Sequence, residues 1–137
     1  MTNKAWIGVD LDGTLAEYDG WKGIEHIGLP IEWVRQYVLD LLDLGVEVKI
    51  LTARVQEGQA AIDAIETWCS VYLDAILPVT DKKDMDMVAM IDDRAYGPRH
   101  WNQLPFPWEF AAITQWHNNP NNPSSPKSVP QADGDSQ

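Results

Sequence analysis

The chain has 137 residues, 45% of them apolar, and a formal net charge of −11. This is enough chain for one domain with a proper core, and the acidic balance excludes a strong nucleic-acid-binding surface of the phosphate-tracking kind. The single cysteine excludes an internal disulfide and suits a reducing cytoplasm, and no apolar run nears the roughly 18–20 residues of a membrane span.

The first predicted strand is Trp6 to Asp10, with no signal peptide read ahead of it. It runs into Asp10-Leu11-Asp12-Gly13-Thr14, two acids spaced i and i+2 that share one face of an extended strand. Gly13 lets the backbone turn sharply or approach a substrate closely. A loop from Thr14 to Pro30 follows, and Trp21 within it suits either a small flap or simple packing. Pro30 introduces a helix near Ile31, whose apolar positions Val34, Val38, Leu41 and Leu42 keep helical spacing until Gly45 ends it. Val46–Leu51 reads as the second strand and Gln56–Leu73 as the second helix, with Ala61, Ile65, Trp68, Cys69 and Tyr72 on one face. Cys69 is thus expected as a small buried hydrophobe.

Ala75–Val79 and Met87–Ile91 are the third and fourth predicted strands, and Asp92-Asp93 follows the fourth. Prolines 98, 105 and 107 break the next stretch before a short helix over Glu109–His117. From Asn118 the Asn, Pro and Ser content predicts a disordered tail to Gln137, leaving residues 1–117 as the folded domain. Seven tryptophans are many for this length, but few basic residues are interleaved with them, which favours packing over a stacking platform.

Alternating strands and helices predict an α/β domain with a mainly parallel, Rossmann-like sheet flanked by helices. Ligands of such sheets bind outside the carboxyl ends of the strands. That rule gathers Asp10 and Asp12, Thr52, Lys82 and Lys83, and Asp92 and Asp93 at one edge. Carboxylates crowded in this way repel one another unless a hard cation such as Mg²⁺ joins them. Together with a hydroxyl and an ammonium, the set describes metal-assisted phosphoryl transfer. Arg54 and Arg94 each sit beside a motif, where a guanidinium either grips a distal substrate group or pairs with the aspartates. His26, His100 and His117 have no ligand spacing.

The ordered series Asp10-Leu11-Asp12-Gly13-Thr14, Thr52, Lys82-Lys83 and Asp92-Asp93 resembles motifs I to IV of the haloacid dehalogenase (HAD) superfamily over about Lys4–Arg94. The run Ile91-Asp92-Asp93-Arg94 is similar to motif IV of the phosphatase domain of polynucleotide kinase and of small phage and bacterial HAD-like proteins. The resemblance implies a Mg²⁺-dependent phosphatase acting through a phospho-aspartate, in the cytoplasm of a bacterium or phage-infected host. By it, Asp10 is the nucleophile and Asp12 the general acid/base. Thr52 binds phosphate, with Gly13 and Arg54 also on the substrate, and one lysine, taken as Lys83 because Asp84 follows it, balances charge. The metal falls to the Asp10 carboxylate, the Asp12 backbone carbonyl, Asp93 and a supporting Asp92. The short Thr14–Pro30 loop leaves no room for a sizeable cap, and no fifth strand is evident after Arg94. The expected partner is a small phosphomonoester, a nucleotide or a nucleic-acid end.

Two other readings differ in class. A response-regulator receiver domain expects its phosphoacceptor after a middle strand, where this chain offers Thr52 and no acid. A catalytically silent HAD-like module with a binding or regulatory role need not retain Asp10, Asp12, Thr52 and Asp93 together.

Overall fold

Strand β1 (Trp6–Val9) lies inside a four-stranded, all-parallel sheet of order β3-β2-β1-β4, with β2 at Val48–Leu51, β3 at Val79–Thr80 and β4 at Met87–Ile91. The computed structural model describes residues 5–97 and 104–121. The described chain forms two units, one taking in the residues up to Tyr18 and Gly23–Ala95, the other Asp19–Lys22 and the described residues from Tyr96 onward. The first unit is the expected Rossmann-like α/β fold without a large cap, and among the described residues its sheet has no fifth strand.

Helices α1 (Glu32–Asp43) and α2 (Gln59–Leu73) bury Val34, Val38, Ile65, Trp68, Cys69 and Leu73 in one cluster with Val9, Val48 and Ile50. Alternation puts Ile7 and Val9 of β1 toward this core and Trp6 and Gly8 toward the other face. There the Trp6 indole donates to Asp84 Oδ1 at 2.8 Å, with Lys49 Nζ 4.5 Å from its ring centre. The hydrogen bond from Trp6 holds the Asp84 carboxyl below its ordinary range.

Several element boundaries differ from the sequence reading, each for a local reason. The N–H groups of Gly45 (φ +81°) and Val46 bond the carbonyls of Leu42 and Leu41, as in a Schellman motif. Val46 is spent on that cap, so β2 starts at Val48 and not Val46. The second helix starts at Gln59, not Gln56, because Thr52 opens a 3-10 turn (Ala53–Glu57) and Gly58 separates this turn from α2. Strand β3 is shorter and later than Ala75–Val79. Asp74 closes α2 in a left-handed conformation, Leu77 turns into the core, and Pro78 has no N–H for the ladder.

The second unit contains helix α3 (Pro107–Asn118), longer at both ends than Glu109–His117, with Pro107 in its first turn and Glu109 Oε2 accepting from the Phe106 N–H at 2.9 Å. Phe106 stacks on Trp108, and Tyr96 meets Phe110 edge-on. Asn118 ends α3, so the tail expected from Asn118 gives its first residue to a helix. Residues 119–121 are described, with the Asn121 N–H donating to Asn119 Oδ1 at 2.8 Å, and the rest of that expectation, residues 122–137, lies outside the described residues, as do Lys4, Pro98 and His100. No helix among the described residues is long and apolar enough to cross a membrane.

Candidate metal centre and phosphate site

Asp10 is the first residue past β1, and its N–H still reaches Ile91 O at 2.9 Å, so β4 delivers Asp92 and Asp93 beside it. Carboxylate oxygens of Asp10, Asp92 and Asp93 all lie within 4.8 Å of one another. The turn that follows Asp10 shapes this centre. The N–H groups of Thr14, Leu15 and Ala16 converge on Leu11 O at 2.9–3.2 Å, while the Leu11 and Leu15 side chains are fully buried and anchor the turn. Gly13 has φ +89°, and a Cβ there would stand 2.6 Å from Asp93 Oδ2. Any other residue would thus be strained and would displace the Asp93 carboxylate.

Thr14, given no role from the sequence, joins the acids. Its buried Oγ1 accepts the Asp93 N–H at 2.9 Å and lies 3.0 Å from Asp93 Oδ1 and 3.3 Å from Asp10 Oδ2. One hydroxyl proton serves only one of those carboxylates at a time. The only sequence signal for this was Thr14's place at the end of the first motif. Asp92 Oδ1 accepts the Arg94 N–H at 2.7 Å, which fixes the turn after β4.

The crowding has an electrostatic consequence. Burial first, then the charge of Asp92, a hydrogen bond with Asp93 and the charge of Asp93, push the Asp10 carboxyl up to about 7, against an opposing hydrogen bond from Thr14. All three carboxylates are hard oxygen ligands, so the residues fit Mg²⁺.

Asp12 takes a different place. Its carboxylate lies outside the trio and is bound bidentately by Arg54, with Nε to Oδ2 at 2.7 Å and Nη2 to Oδ1 at 2.9 Å. Of the expected metal groups, the structure brings together the three carboxylates of Asp10, Asp92 and Asp93; the group expected of Asp12 is its backbone carbonyl, and its side chain goes to Arg54. Arg54 is 5% exposed and also donates to the carbonyls of Ile24 (3.3 Å) and His26 (2.9 Å). Of the two roles open to Arg54, pairing with an aspartate is the one observed. The Arg94 side chain makes no ion pair among the described residues.

Thr52 follows β2 and is buried. Its hydroxyl oxygen accepts the Arg54 N–H at 3.2 Å and, among the described residues, its proton goes to no protein acceptor. The β3–β4 connection is pinned at both ends, by Thr80 Oγ1 accepting from Lys82 N (3.1 Å) and by Asp84 Oδ1 accepting from Asp86 N (2.9 Å). Lys82 and Lys83 between them are exposed, Lys82 3.3 Å from Asp81, and neither ammonium pairs with the acidic trio among the described residues. Cys69 is buried and its thiol is pushed up to about 11, chiefly by burial, which leaves it inert as a nucleophile.

Fold and site together define a Rossmann-like α/β protein with an acidic, cation-fitting centre at the carboxyl edge of its sheet. Among solved structures it is similar to a conserved protein from Bacteroides thetaiotaomicron, with a TM-score of 0.52 at 19% identity over 82% of this chain and 92% of that one. That likeness is one of fold. No protein-family model and no curated protein matches the chain.

Proposed function

We propose that the protein is a HAD-type, Mg²⁺-dependent phosphomonoester hydrolase that works through a phospho-aspartate on Asp10. The observation that carries this reading is the convergence of Asp10, Asp92 and Asp93 within 4.8 Å at the carboxyl ends of the paired strands β1 and β4. Asp10, Asp92 and Asp93 would hold the cation, which supplies charge neutralisation for the phosphoryl oxygens and keeps Asp10 ionised.

In the proposed cycle, Asp10 attacks phosphorus, a P–O bond to Asp10 forms, and the bond to the leaving oxygen breaks. Asp12 gives that oxygen a proton, then takes one from the water that hydrolyses the acyl phosphate. Arg54 orients Asp12 through one carboxylate oxygen and releases the other for the two proton steps. The Thr52 hydroxyl donates to a phosphoryl oxygen, and Lys83 balances charge from the β3–β4 connection.

The test is turnover of a generic aryl phosphate by the Mg²⁺-loaded protein and by Asp10→Asn. Phosphate release that EDTA stops, and that Asp10→Asn lacks while keeping its fold by circular dichroism, is the expected result. Equal rates from both proteins would remove Asp10 as nucleophile.

A further inference from the structure

Beside the acidic centre lies a cleft of about 230 Å³ walled by Gly13, Thr14, Ile31, Trp33, Ile91 and Asp93. Thr14 and Asp93 belong both to this wall and to the carboxylate cluster, so the cleft continues directly from the reacting centre. Its remaining walls come from the start of α1 and the end of β4; they are apolar at Ile31, Trp33, Val34 and Ile91 and acidic at Asp92. Trp33 is the outer wall. Its side chain is 72% exposed, it belongs to no ring pair among the described residues, and α1 turns Val34 and Val38 into the core instead. An indole left open to water beside a cleft is available as a stacking face.

The cleft chemistry restricts its occupant. No lysine or arginine lines it, and its charged wall is acidic, so it rejects a second phosphate or carboxylate. Away from the acids, Ile31, Val34 and Ile91 offer no hydrogen-bond partners, so that part of the cleft favours an apolar face over a polyol. What fits is a neutral, planar ring against the Trp33 face. We infer that this cleft receives the aromatic part of the substrate's leaving group, the ring of an aryl monophosphate or the base of a nucleoside monophosphate, and that Trp33 is a specificity-determining residue. The inference rests on the phosphatase reading above.

The test compares wild type, Trp33→Phe and Trp33→Ala, each Mg²⁺-loaded, on 4-nitrophenyl phosphate, a nucleoside 5′-monophosphate and glycerol phosphate. Trp33→Ala should lower the ratio of kcat/KM for the ring substrates over that for glycerol phosphate by about tenfold, the scale of one base–aromatic stack. Trp33→Phe should keep most of the ratio. A fall confined to 4-nitrophenyl phosphate assigns an aryl substrate, and one shared with the nucleotide assigns a nucleobase. An unchanged ratio overturns the inference while leaving the phosphatase reading intact. A second readout separates the two in the other direction. In Asp10→Asn, the Trp33 indole N–H resonance, assigned by its loss in Asp10→Asn/Trp33→Phe, should move on adding phenyl phosphate and not on adding glycerol phosphate. That ring-specific shift without turnover in wild type would support the cleft and sink the phosphatase chemistry.

Discussion

Replacing Arg54 by Met removes a guanidinium that makes four hydrogen bonds from a site only 5% exposed. Asp12, whose side chain is 20% exposed, loses both partners, and the carbonyls of Ile24 and His26 lose their donors. Breaking a buried pair by removing one partner costs about 3–5 kcal/mol. Asp12 keeps some water, and Ile24 and His26 lie in a solvated loop, so the lower end applies, about 3 kcal/mol. At this chain length that is a fall in Tm of about 10 °C. Urea unfolding followed by tryptophan fluorescence measures it, and a double-mutant cycle with Asp12→Asn isolates the pair. Because the second substitution removes the charge that the first one strands, the double variant should cost about 2 kcal/mol less than the sum of the singles. Additive costs, with coupling below about 0.5 kcal/mol, would refute the view that Arg54 and Asp12 act as one unit.

Two further expectations concern the acidic centre and the lysines. Folded, metal-free protein holds a proton on Asp10 up to about pH 7, whereas the unfolded chain releases it near 3.8. The folded state therefore binds the extra proton between those values, and metal-free stability should fall as pH rises through that window. Mg²⁺ requires the carboxylate, so its increment to Tm in a thermal-shift series should be small at pH 5 and grow through pH 7; an increment independent of pH would count against Asp10 as a ligand. Lys83→Ala should lower kcat by orders of magnitude and Lys82→Ala should change it little, and a paired kinetic comparison giving the reverse would move the charge-balancing role to Lys82.

Much of this architecture was legible from periodicity. The apolar runs ending at Asp10, Leu51 and Ile91 read as parallel strands, and parallel strands place their carboxyl ends together, which predicts the meeting of Asp10 with Asp92 and Asp93, although the edge strand β4 buries none of its residues. Fine contacts were not legible in this way. Arg54 reaches Asp12 because Thr52 caps a 3-10 turn, and nothing in the helical spacing after Gln56 separates that turn from α2. Thr14 bonds a residue 79 positions away, and that pairing exists only once the strands are registered. The shortness of β3 followed from Pro78 and the burial of Leu77, a tertiary demand that overrode an apolar run suited to a strand.

The parallel register also fixes the order in which the centre can come into being. Each strand pair in the sheet is parallel, so none forms by a local hairpin, and β1 must wait for partners much later in the chain. Asp10 gains its neighbours only when β4 pairs with β1, and that pairing brings Asp92 and Asp93 up against it, so it works against charge repulsion. Loop-closure entropy makes such long-range pairing slow in itself. A proton on Asp10, or a divalent cation if the site holds one as proposed, would remove that repulsion and so couple β1–β4 pairing to the state of the site.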